Sequence, residues 1–107
     1  MRINRSSAVG SVLLFKTELD SNNIPAAADI LANPNGSKFL AVERVEYYDE
    51  LYRIKNIINK RPVTWIKDDT LSPIERKLEI EFGYLKKFRF TTSKIDSNWY
   101  ILNWEMI

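Results

Sequence analysis

The side chains best suited to chemistry lie near the C-terminus. Lys86, Lys87, Arg89 and Lys94 stand beside Phe88, Phe90, Trp99 and Tyr100. Cations neutralise phosphates and aromatic faces stack on bases, so this mixture suits a nucleic-acid-binding hairpin. Lys60 and Arg61 add two cations upstream. The plainer reading is that Phe88 and Phe90 point into a core, which leaves Lys87 and Arg89 as the solvated face of a strand. A second surface chemistry is apolar. Five tyrosines and three tryptophans supply the residue types that anchor protein interfaces. In the closing segment, Trp99, Tyr100, Ile101 and Trp104 put apolar groups on both faces of one strand. That pattern suits an edge that pairs with a partner protein or with a second copy, making a homo-oligomer.

Catalytic chemistry has little to work with. The chain has no histidine and no cysteine, which removes the commonest general base, the thiolate nucleophile and the usual transition-metal ligands. Three widely spaced glycines form no phosphate loop. Asp68-Asp69 would offer oxygen to a hard cation, but adjacent carboxylates in a loop read first as a solvated turn. No catalytic residue, metal or cofactor is assigned, and a non-enzymatic binding domain is expected. No stretch reaches the roughly 20 apolar residues of a membrane span. Arg2 and Arg5 precede an apolar run from Ala8 to Phe15, a faint likeness to a signal peptide. Lys16-Thr17-Glu18 follows where small residues would be needed for cleavage. A cytoplasmic setting is expected.

The net charge of +2 hides a blocked distribution. Residues 17–50 and 68–84 are acidic, while residues 51–67 carry Arg53, Lys55, Lys60, Arg61 and Lys67 with no acid among them. So balanced a total argues against strong nonspecific attraction to phosphates.

The elements that position these residues follow from periodicity. From Leu78 to Phe90 nearly every second side chain is apolar: Leu78, Ile80, Phe82, Tyr84, Phe88 and Phe90. Period two predicts a half-buried strand with a bulge or bend at Gly83. A helix from Ser72-Pro73 is the rival over residues 73–87, but it would set Ile80, Tyr84 and Phe88 opposite the Leu78 stripe. Residues 1–8 read as a loose polar arm. Val9 to Phe15 reads as a first strand, since Gly10 and Ser11 disfavour a helix. Pro25 and the alanines after it predict a short helix, ended by Asn33-Pro34-Asn35-Gly36. Ser37 would cap a long amphipathic helix whose apolar face runs from Leu40 to Ile58 through Tyr47, Tyr48, Leu51 and Ile54. Val63 to Lys67 is a short strand, Asp68 to Pro73 a loop, Thr91 to Asn98 a polar turn, and Trp99 to Ile107 the last strand.

The result is a single α+β domain over 1–107. Its antiparallel sheet, with a long C-terminal β-hairpin or meander, packs on one long amphipathic helix plus a short helix. Ala32, Gly36, Val42 and Val45 also match the spacing of a helix-turn-helix, which with the hairpin as a wing would give a winged-helix-like regulator. Pro34 and the acids Glu43 and Glu46 argue against it. The expected function is protein–protein interaction, as an inhibitor or assembly subunit, through Trp99, Tyr100, Ile101 and Trp104. Nucleic-acid binding through Lys60, Arg61, Lys86, Lys87, Arg89 and Lys94 is the alternative.

Overall fold

The computed structural model describes residues 6–107. Four helices precede four strands: α1 (Ala8–Asp20), α2 (Ile24–Ala28), α3 (Ala41–Glu46), α4 (Tyr48–Ile58), then β1 (Val63–Ser72), β2 (Glu75–Phe82), β3 (Lys86–Ile95) and β4 (Asn98–Met106). The strands form one antiparallel sheet in the order β1-β2-β3-β4. The fold is α+β, with a C-terminal meander against helices.

The alternation from Leu78 to Phe90 makes two strands of one hairpin. Leu78 pairs with Phe90 and Ile80 with Phe88, all four buried on the inner face. Gly83-Tyr84-Leu85 forms the turn between them. Gly83 and Tyr84 both have φ of +62°, a region open to glycine and costly for other residues. A Cβ on Gly83 would stand 3.3 Å from the Cβ of Arg61. The Gly83 amide donates to the Pro62 carbonyl at 2.8 Å, which ties the turn to the start of β1.

Several expectations are corrected. Val9–Phe15 is helical, within α1. The buried positions Ala8, Val12, Phe15 and Leu19 recur at helical spacing. The run reads as a strand because Gly10 and Ser11 disfavour a helix and because, taken only as far as Phe15, it omits Leu19. Gly10 and Ser11 weaken the helix intrinsically, but both are buried. Ser11 Oγ donates to the Trp99 carbonyl of β4 at 2.9 Å. Ser7 caps the helix by accepting from the Gly10 amide. Ser7 and Ala8 therefore belong to α1 and its cap and not to the expected polar arm, whose first five residues lie outside those described.

The expected long helix is two helices joined at Tyr47. Ser37 does not cap it: its amide and hydroxyl both donate to Asn35 Oδ1 in the turn. The Glu43 carboxylate instead accepts from the Leu40 amide at 2.8 Å. Leu51, Ile54 and Ile58 of α4 are buried, whereas Leu40, at the N-cap of α3, and Val42 and Val45 within α3 are exposed. Residues after Ala28 leave the helix, and the Ala32 amide donates to the Ile101 carbonyl beside β4. Ala32 is thus sheet-like, and no helix-turn-helix forms around it.

The strands are longer than their apolar patterns. β3 runs on to Ile95 because Thr92, though polar, is buried and donates to the Arg76 carbonyl at 2.8 Å. Only Asp96 and Ser97 form the turn, both with positive φ, as a tight hairpin requires. β1 likewise continues through Asp68 and Asp69 to Ser72.

The inner face of β2, β3 and β4 packs on α1, and Leu51, Ile54 and Ile58 of α4 belong to the same core. Phe15 lies at its centre, with ring centroids 6.3 Å from Phe90 and 5.6 Å from Trp104.

Candidate interaction surfaces

The aromatic residues expected on an exposed strand are mostly inside. Trp99 is 6% exposed, and Tyr100 and Ile101 are also buried. β4 is apolar on both faces because both are covered. On the inner face Trp99 and Ile101 join the main core. On the other, Tyr100 and Leu102 cluster with Ala32 and Ile95. The free edge of β4 is occupied near Ile101, whose amide donates to the Ile30 carbonyl at 2.8 Å. Trp104 alone of the four is half-buried. It contacts Tyr47 at 6.4 Å and, with Tyr47, Glu50 and Asn103, lines a shallow cleft of about 160 Å³. The first expectation therefore loses Trp99 as an exposed anchor.

The basic residues divide into two groups. Arg89 is held between carboxylates, 3.0 Å from Glu105 and 3.4 Å from Glu79. The hydrogen bond to Glu105, then that to Glu79, raises its pKa above the ordinary guanidinium value. Lys94 lies eight residues along β3 from Lys86, a separation of about 26 Å at strand rise. Neither belongs with the rest. Lys60, Arg61, Lys86 and Lys87 lie at the other end of the sheet, where Arg61 packs against the Gly83 turn. Lys87 Nζ sits 4.2 Å from the centroid of Trp65, and Tyr84 and Leu85 project from the turn.

The outer face of the sheet is polar and ordered. One row crosses all four strands in register: Lys67 opposite Glu79, Glu79 opposite Arg89, Arg89 opposite Glu105. The charges alternate, and the neighbours lie 4.0, 3.4 and 3.0 Å apart. Exposed pairs of this kind add little stability each, but they fix register, because a shift would oppose like charges.

β1 stands at one end of the sheet. Its inner edge pairs with β2 along nearly its whole length. On its outer edge no strand is paired among the described residues. No helix covers it to the extent that α1 covers β2, β3 and β4. From Trp65 to Leu71 every residue is exposed. Trp65, Lys67 and Asp69 lie on the outer face, and Ile66, Asp68 and Thr70 on the inner. Asp68 and Asp69 thus point to opposite faces, one 2.8 Å from Arg76 and the other 3.8 Å from Lys67. They form ion pairs and not a cation site. Sequence reasoning missed this edge because an uncovered strand has no buried face, and so no period-two hydrophobic signal. The trace available was the β-prone Val63-Thr64-Trp65-Ile66 followed by the charges that commonly guard an exposed edge.

No protein-family model and no curated protein matches this chain. Among the described residues no helix is long and apolar enough to cross a membrane.

Proposed function

We propose that this protein is a non-enzymatic protein-interaction domain, an assembly subunit or inhibitor, that joins its partner by strand addition at β1. The carrying observation is the outer backbone edge of this ten-residue strand, on which no strand is paired among the described residues. Unpaired strand edges recruit extended segments through main-chain hydrogen bonds, while side chains on the two faces select the partner. Trp65 and Leu71 supply apolar contacts near the two ends, and Lys67, Asp68 and Asp69 supply selectivity between them. A cytoplasmic setting belongs to this reading.

A second reading rests on the gathering of Lys60, Arg61, Lys86 and Lys87 with Trp65 and Tyr84 at one end of the sheet, a surface able to hold a nucleic-acid strand. One experiment separates the two. A photo-crosslinking residue is placed at Leu71 on β1, at Lys87, or at Asn103 on β4 as control, in the full chain inside the cells that make it. Strand addition predicts protein adducts concentrated at position 71. Adducts no more frequent at 71 than at 103 would overturn it, and nucleic-acid adducts at 87 would establish the second reading in its place.

A further inference from the structure

Resting on the reading of β1 as a docking edge, we infer that its occupant is a second copy of this chain, paired antiparallel about a twofold axis at Asp68. The support is charge order. In an antiparallel pair, residues directly opposite share a face of the sheet. An axis at Asp68 sets Lys67 opposite Asp69 of the other copy, twice. It also sets Ile66 opposite Thr70 twice, and brings Trp65 towards Leu71, which lies in the register shift between Thr70 and Ser72. The residue on the axis meets itself, but each Asp68 carboxylate already has Arg76 at 2.8 Å.

Neighbouring registers are worse. An axis at Lys67 opposes two lysines and sets Ile66 against Asp68. An axis at Asp69 opposes two acids, each paired only with Lys67 at 3.8 Å. An axis at Ile66 leaves Asp69 opposite apolar Val63 and Lys67 opposite Trp65, with no pairing of opposite charges. An axis between residues would bring opposite faces together. Only the Asp68 register also continues the row already present across the sheet. That row runs Glu105, Arg89, Glu79, Lys67. The second copy adds Asp69 and then Lys77, its partner on β2, so the signs alternate across the junction. The product is one continuous eight-stranded sheet with both β1 edges closed.

The test is sedimentation of the wild-type chain and of two charge variants, Lys67→Asp and Asp69→Lys. Both positions are more than half exposed, so folding should survive, and thermal melts check it. Each variant alone places like charges opposite each other at two sites, and its dimer dissociation constant should rise about tenfold or more. Mixed together, the two variants oppose acid to base at both sites, and the mixture should recover the wild-type affinity as a heterodimer. The double variant Lys67→Asp/Asp69→Lys should also recover it. Wild type that stays monomeric, or single variants that dimerise as wild type does, would overturn the inference. Monomeric wild type with protein adducts at position 71 would remove the second copy and keep β1 as a docking edge. Monomeric wild type without such adducts would remove both.

Discussion

Trp99→Ala is expected to lower the unfolding free energy by about 3–5 kcal/mol, the usual cost of removing a large buried aromatic. A domain of this size holds roughly 5–15 kcal/mol in total, so the variant would be partly unfolded on mild heating. The indole is 6% exposed, and the backbone carbonyl of the same residue accepts the Ser11 hydroxyl from α1. The Arg76 guanidinium stands 5.9 Å from the ring on the sheet side. Were Trp99 an exposed anchor for a partner, truncation would shift stability by only a few tenths of a kcal/mol. Urea denaturation distinguishes the two outcomes directly.

The second large effect is expected along α1. Phe15→Ala should cost about 3–5 kcal/mol, and Val12→Ala and Leu19→Ala about 1–4 kcal/mol, while Leu13→Ala and Thr17→Ala should stay near or below 1 kcal/mol. The pattern is diagnostic of a helix. Val12, Phe15 and Leu19 are buried against the sheet, whereas Leu13 is only half-buried and Thr17 is exposed. A strand over Val9–Phe15 would instead make Leu13 as costly as Phe15, because alternate residues share a face. Phe15 should dominate because its ring touches both Phe90 and Trp104. Equal losses at 13 and 15 would contradict the helix.

These two regions show what is legible from residue order. Strands β2 and β3 carry one buried face each, so their alternation was visible and their inner residues follow from it. The amphipathic stripe of α4 was visible for the same reason. Helix α1 was not, because Gly10 and Ser11 are poor helix formers, yet both are buried and Ser11 bonds to the Trp99 carbonyl of β4, and propensity is a weak prior once tertiary contact decides. Beyond its apolar run, β3 is held by a threonine hydrogen bond and a two-residue turn, neither of which leaves a hydrophobic period.

The candidate surface was harder to read than the fold. Trp99 and Tyr100 have the composition of interface anchors, but burial of β4 on both faces accounts for them. Arg89 has the composition of a phosphate ligand, but Glu79 and Glu105 lie opposite it on the flanking strands, which only the register reveals. The open edge came from topology: β1 ends the strand order, and its residue types show a short β-prone run from Val63 to Lys67 but neither the length of the strand nor its place at the edge.

If a second copy closes the open edge of β1, residue-resolved amide hydrogen exchange will record the closure. In dilute protein every second amide from Trp65 to Thr70 faces the open edge and should exchange rapidly, while the alternate amides bonded to β2 are protected. On concentrating to about 1 mM, where even a weak dimer forms, the fast set should slow and the set bonded to β2 should stay as it was. Edge amides that exchange at the same rapid rate throughout that range would show that no second copy pairs with β1.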